Sequence, residues 1–122
     1  MTRGHSQADL EDGLWAGSTR VNEADLPITT AFVTAMVKGG SDGFALKASD
    51  ATAGKLQTMY DGPRPPGYQP MKKQGAIILG IGGDNSDWAV GSWFEGVMTA
   101  GYSSDAADDA VQANIVAAGY GR

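Results

Sequence analysis

Apolar and acidic residues alternate from Ala8 to Asp12, which is the period of a half-buried strand. Gly13 interrupts that pattern, and the polar stretch from Gly17 to Asp25 reads as a loop. Pro27 opens a second run, Ile28 to Lys38, rich in Thr, Val and Phe. As a strand it puts Thr30, Phe32, Thr34, Met36 and Lys38 on one face and Ala31, Val33, Ala35 and Val37 on the other. Its β-branched content and the Gly39-Gly40 stop favour strand, with helix as the rival that Ala and Met leave open. Gly43 to Ser49 and Lys55 to Tyr60 are short strands joined by a turn at Asp50 to Gly54. The Pro-rich segment Asp61 to Pro70 predicts a surface crossover loop. Gly75 to Ile81 is continuously apolar, as in a central buried strand. Trp88 to Tyr102 alternates loosely and predicts another strand, bent at Gly91 or Gly96.

The end of the chain differs. After Ser103-Ser104, the acids Asp105, Asp108 and Asp109 suit the first turn of a helix. Ala107, Ala110, Val111, Asn114, Ile115 and Ala118 recur at helical spacing, and Gly119 stands where a terminating glycine would. The pattern predicts a mostly-β single domain over residues 1–122, with one C-terminal amphipathic helix packed on a sheet through that apolar stripe.

Composition narrows the chemistry. The 122 residues carry 9 Lys and Arg against 14 Asp and Glu, a net charge of −5, which argues against nucleic-acid binding. No apolar stretch approaches the ~20 residues of a membrane helix, and residues 1–7 lack the basic-then-apolar pattern of a secretory signal. Gly, at 18 residues, is roughly double its usual share, which favours turns and short strands over a helical bundle. Cys is absent, so disulfides, thiolate metal sites and cysteine nucleophiles are excluded. The lone histidine, His5, lies near the N-terminus, so no metal or cofactor centre is expected, and any hydrolytic chemistry falls to carboxylates.

Two acidic motifs sit beside permissive glycines. In Asp9-Leu10-Glu11-Asp12-Gly13, a strand would present Asp9 and Glu11 together. Crowded acids raise one another's pKa, so the motif is either a reactive pair or a solvated edge kept polar against aggregation. In Gly80-Ile81-Gly82-Gly83-Asp84-Asn85-Ser86-Asp87, the spacing fits neither a dinucleotide fingerprint nor a calcium loop. What remains is a titrating acid, Asp84, at the end of an apolar strand, or a tight turn capped by Asp and Asn. Glu95 is a third carboxylate of the kind that usually faces solvent. Trp15, Trp88, Trp93, Tyr60, Tyr68 and Tyr102 are either strand packing or a sugar-stacking surface.

Longer words carry a resemblance. Gly75 to Ser86, Phe94 to Tyr102, Ser104-Asp105-Ala106 and Val111 to Ala118 resemble the end of the catalytic domain of glycoside hydrolase family 54, the arabinofuranosidase B family. Ala8 to Leu14 is similar to that family's Ala-Asp-Leu-Glu-Asn-Gly-Leu segment, and Arg64 to Met71 to its Pro-rich loop. The likeness runs from about residue 8 to 120. It implies part of a concanavalin-like β-sandwich and a retaining hydrolase that removes terminal α-L-arabinofuranosyl groups from arabinose-containing polysaccharides or oligosaccharides. It also implies Glu11 as nucleophile, Asp84 as general acid/base, and Asp9, Asp12 and Gly83 as sugar-binding positions. Asp12 stands where the family usually has Asn, adding a negative charge beside Glu11. The resemblance further implies an extracellular protein. The chain corresponds to the C-terminal part of a domain more than twice its length. The rival reading is therefore a non-catalytic carbohydrate-binding or structural fragment, whose open sheet edges would pair with another copy or with the missing N-terminal half.

Overall fold

The computed structural model describes residues 28–63 and 91–122. Three antiparallel strands form one sheet in the order β1-β2-β3, with β1 at Val33–Gly39, β2 at Gly43–Asp50 and β3 at Gln57–Pro63. A single helix, α1, spans Asp105–Ala118.

The run expected from Ile28 to Lys38 is a strand only from Val33, with Ile28 to Phe32 lying outside it and Gly39 as its last residue. The amide of Gly40 donates to the carbonyl of Gly43 at 3.0 Å, closing the hairpin into β2. Val33 lies opposite Asp50, Met36 opposite Lys47 and Gly39 opposite Phe44. The central strand β2 is covered on both faces, so Ala45, Leu46, Lys47, Ala48 and Ser49 are all buried. The two faces expected for β1 are the two observed, but the side turned inward carries the polar residues. Thr34 and Lys38 are buried, while Val37 is 51% exposed.

β3 runs past Tyr60 into Asp61, Gly62 and Pro63, residues expected to belong to the crossover loop. An edge strand tolerates this, because a proline at its end forfeits no bond that an inner ladder would need. Leu46 pairs with Tyr60 and Lys47 with Thr58, so Met59 is the extra residue of a bulge. The pairing also explains Gly43. A Cβ there would lie 2.4 Å from the carbonyl oxygen of Gly62, so only glycine lets the two backbones meet. Leu46 and Ala48 form a small core closed by Ile28, Phe44, Met59 and Tyr60, with the Phe44 and Tyr60 rings 4.7 Å apart.

The helix has the ends its sequence predicts. Ser104 Oγ accepts from the amide of Ala107 at 3.2 Å, and Gly119 adopts φ 79° with its N–H donating to Val116. Its buried stripe is not the predicted one. Asp108 and Gln112 turn inward, with Ile115 and Val116 half-buried, while Ala107, Ala110, Val111, Asn114 and Ala118 are exposed. The sheet face beneath α1 presents Thr34, Lys38, Lys47 and Ser49, so the helix face that answers it is polar.

The strand expected through Tyr102 is also corrected over its described part: residues 91–102 join no sheet among the described residues. The readings at Ala8 to Asp25, Arg64 to Pro70, Gly75 to Ile81 and Trp88 to Val90 lie outside the described residues. No helix among the described residues is long and apolar enough to cross a membrane.

Replacing the cap, Ser104→Ala, is expected to cost about 1 kcal/mol of stability. Urea unfolding followed at 222 nm checks it, and an unchanged midpoint would show that α1 does not depend on this cap.

Candidate functional site

All five residues that the resemblance marks for catalysis and sugar binding, Asp9, Glu11, Asp12, Gly83 and Asp84, lie outside the described residues, as do Trp15, Tyr68 and Trp88. The most highly charged arrangement within them is a different one, which joins α1 to the sheet.

Lys38 ends the inward face of β1, and Lys47 lies on the same face of β2, diagonally across the ladder. Asp108 Oδ2 accepts from Lys38 at 2.7 Å and from Lys47 at 2.8 Å. Asp105 Oδ1 accepts from the same two amines at 3.2 and 2.7 Å. Ser103 Oγ donates to Asp108 Oδ1 at 2.5 Å, and Lys38 Nζ donates to the Ser103 carbonyl at 3.0 Å. The Tyr102 ring lies under Lys38 Nζ, 4.6 Å from its centroid, adding a cation–π contact. One turn further along α1, Gln112 donates to the carbonyl of Asp50 at 2.8 Å.

Two positive and two negative charges thus close on one another. Burial would push the Asp108 carboxyl up, but hydrogen bonds from Lys38, Lys47 and Ser103 override it and hold the group down at about 2. Burial likewise works against the charge on Lys47. Its bonds to Asp105 and Asp108 outweigh that and raise it above the ordinary lysine value. The exposed Asp105 is lowered by its bonds to Lys47 and then Lys38. With every charge engaged, the cluster has no acid or base at work near neutral pH. It is a clamp. The signal for it was present in the sequence as two lysines, in otherwise small and apolar strands, and an acidic pair three residues apart at a helix start.

A second tie joins the far end of α1. The rings of Phe32, Phe94 and Tyr120 stand 5.2 to 6.0 Å apart, and Tyr120 Oη donates to Glu95. That bond, then burial and the carboxylate's charge, push the Tyr120 hydroxyl above its usual value. Glu95 is therefore a hydrogen-bonded acid. Tyr60 and Tyr102 serve packing, and Trp93 is left 57% exposed. No group of three or more metal-binding side chains occurs among the described residues.

The sequence matches the catalytic-domain model of α-L-arabinofuranosidase B over residues 3–121. The chain belongs to this family. A probable α-L-arabinofuranosidase B from Aspergillus clavatus is 55% identical over 116 residues, covering 93% of this chain and 23% of its own length. An α-L-arabinofuranosidase from Hypocrea jecorina is 56% identical over the same coverage. Arabinofuranosidase B relatives are thus matched over about a quarter of their length. Among solved structures, a family 54 α-L-arabinofuranosidase variant soaked with 4-nitrophenyl α-L-arabinofuranoside superposes with a TM-score of 0.70 at 56% identity. An arabinofuranosidase complexed with arabinofuranosyl-α-1,2-xylobiose gives the same values; each match covers 80% of this chain and 21% of the other. The sheet and helix are therefore part of the family's β-sandwich.

Breaking the clamp from one side is expected to be severe. Asp108→Ala leaves two buried ammonium groups short of a partner and should cost about 3–5 kcal/mol, read as a lowered unfolding midpoint. The pH dependence has a defined sign. A carboxyl held at about 2 against an ordinary 3.8 contributes fully above pH 4, and that contribution is lost as pH falls through 2. Thermal midpoints should be flat from pH 7 to 4 and fall below that, and the fall should be shallower in Asp108→Asn.

Proposed function

We propose that this chain carries the catalytic carboxylates of a retaining α-L-arabinofuranosidase acting on terminal arabinofuranosyl groups of arabinose-containing polysaccharides or oligosaccharides. The observation that carries this reading is the family match over residues 3–121, which takes in both acidic motifs. The two structural relatives, one soaked with an aryl arabinofuranoside and the other complexed with an arabinofuranosyl xylobiose, support the substrate class.

Glu11, ionised, attacks the anomeric carbon while Asp84, protonated, gives its proton to the departing glycosidic oxygen. Asp84 then takes a proton from water, which breaks the glycosyl–Glu11 bond and restores both groups. Such a pair stands about 5 Å apart, and the acid needs the higher pKa of the two. Asp9, Asp12 and Gly83 hold the sugar. Asp12 places a charge one residue from the nucleophile, which disfavours ionised Glu11 unless Asp12 is directed away or paired. The unit proposed is one domain over residues 1–122, the C-terminal part of an arabinofuranosidase B-type catalytic domain, in an extracellular protein. Its open edges pair with the rest of such a domain or with a second copy.

Release of nitrophenol from 4-nitrophenyl α-L-arabinofuranoside tests the reading. Glu11→Gln and Asp84→Asn should each lower turnover by about 100-fold or more. Added azide should restore Asp84→Asn alone, because it replaces the water that needs a base. A folded chain without turnover would leave a carbohydrate-binding or structural segment of the family.

A further inference from the structure

Between α1 and the sheet, two polar atoms are left out of the ties described above. Thr34 Oγ1 and Gln112 Oε1 are buried and have no hydrogen-bond partner among the described residues. Their residues are 8% and 1% exposed, so bulk solvent does not serve them. Folded proteins leave few buried polar atoms unbonded, because each forfeits its hydration with nothing in return.

The two oxygens share one neighbourhood. Gln112 Nε2 donates to the Asp50 carbonyl at 2.8 Å, which places its amide beside the last residue of β2. Ser49, the residue before, pairs with Thr34 across the ladder. Both therefore turn to the face that α1 covers, with Cβ atoms about 5 Å apart. Asp108, one turn before Gln112, binds Lys47, two residues before Ser49. One helical turn and two strand residues each advance about 6 Å, so Gln112 falls over the Thr34–Ser49 row.

A count of protons says what completes the row. Gln112 Oε1 only accepts. Ser49 Oγ gives its one proton to the Lys55 carbonyl at 2.8 Å, so its lone pairs also only accept. Thr34 offers one proton and can serve one of the two acceptors. The missing partner must therefore supply two protons and take one. We propose that a single water molecule is bound there, accepting from Thr34 Oγ1 and donating to Gln112 Oε1 and Ser49 Oγ. Three bonds are typical of a buried water. The ammonium groups of Lys38 and Lys47 in the same layer disfavour a metal cation, and two acceptors without protons disfavour an anion. The water ties β1 and β2 to the middle of α1, between the clamp at its start and the aromatic contact at its far end. Neither family membership nor the catalytic reading bears on this site.

A crystal structure of the chain should show a water oxygen within about 3 Å of all three side-chain oxygens. In solution, oxygen-17 relaxation dispersion should count one fewer long-lived water in Thr34→Val, which keeps the shape of the side chain and removes only its hydroxyl. The same substitution should raise the unfolding equilibrium constant in urea about tenfold. Thr34→Ser retains a hydroxyl and should retain the water. A Thr34→Val chain more stable than the unsubstituted one would overturn the proposal, because an unbonded hydroxyl would then have been removed. A direct bond from Thr34 to Gln112, or an unchanged count of long-lived waters, would overturn it as well. If Thr34→Val does not fold, the density between the three oxygens of the unsubstituted chain decides: a water there supports the proposal, and its lack sinks it.

Discussion

Two ammonium groups taken out of water are the constraint around which the described part of this molecule is arranged. Lys38 and Lys47 are 5% and 4% exposed and lie on the same face of the sheet. Desolvating an ion costs several kcal/mol, which only close pairing offsets. Asp108 meets both amines and Asp105 completes the pairing, so the first turn of α1 has one acceptable position on the sheet. Rotating the helix by one residue, about 100°, would carry Asp108 away from both amines. The rest of the arrangement follows from that placement. Gln112 reaches Asp50, Tyr102 is drawn under Lys38, and Tyr120 arrives beside Phe32. The fully buried apolar residues in contact, Leu46 and Ala48, lie on the other face of the sheet. Apolar burial therefore holds the strands together, and charge pairing fixes where the helix sits.

That division explains which features could be read from the sequence. The alternation within β1 and β2, the Gly39-Gly40 stop, the acidic first turn of α1 and the Gly119 terminator depend on neighbouring residues, and each is found among the described residues. The buried face of α1 does not depend on neighbours. Periodicity assumes that the apolar stripe turns inward, but in an alanine-rich helix that preference is weak. Here the choice was made by lysines 61 and 70 residues away in sequence. Residues 91–102 fail for a related reason. Their alternation is that of a strand, but a ladder needs a second strand, and no local pattern supplies one. The candidate site was legible in another way. Asp9, Glu11, Asp12, Gly83 and Asp84 came from words shared with a family, while composition alone left both acidic motifs open between chemistry and solvated turns.

Chain order gives the sheet a further role under the catalytic reading. Glu11 precedes β1 and Asp84 falls between β3 and α1, so a pair that must work about 5 Å apart is separated by the entire sheet. Closing so long a loop costs entropy that rises with the logarithm of its length, and the geometry a retaining pair needs tolerates little slack. A scaffold serves such a pair only if it is rigid between them. The clamp ties the element after Asp84 to the strands that follow Glu11, through charges that keep their ionisation across the ordinary pH range. The most polar part of the interior is thus assigned to holding, while of the acids proposed for chemistry Glu11 precedes the clamp's lysines and Asp84 falls between its lysines and its aspartates in the chain.

The segment from Phe94 to Ser103 is held by both ties of the helix. Its C-terminal anchor, Tyr102 and Ser103, belongs to the clamp, and its N-terminal anchor, Phe94, belongs to the aromatic contact at the far end of α1. The helix therefore does more than cover a polar sheet face. It also helps secure the segment before it at both ends, with Phe94 against Phe32 and Tyr120 and with Tyr102 under Lys38. Ordering such a segment costs about 1–2 kcal/mol for each residue whose backbone is fixed, and the contacts at its two ends offset part of that. An ion cluster that contributes no reactive group in this way positions the connection before α1 as well as α1 itself. The cost of burying two lysines is then set against an anchored connection as well as a docked helix.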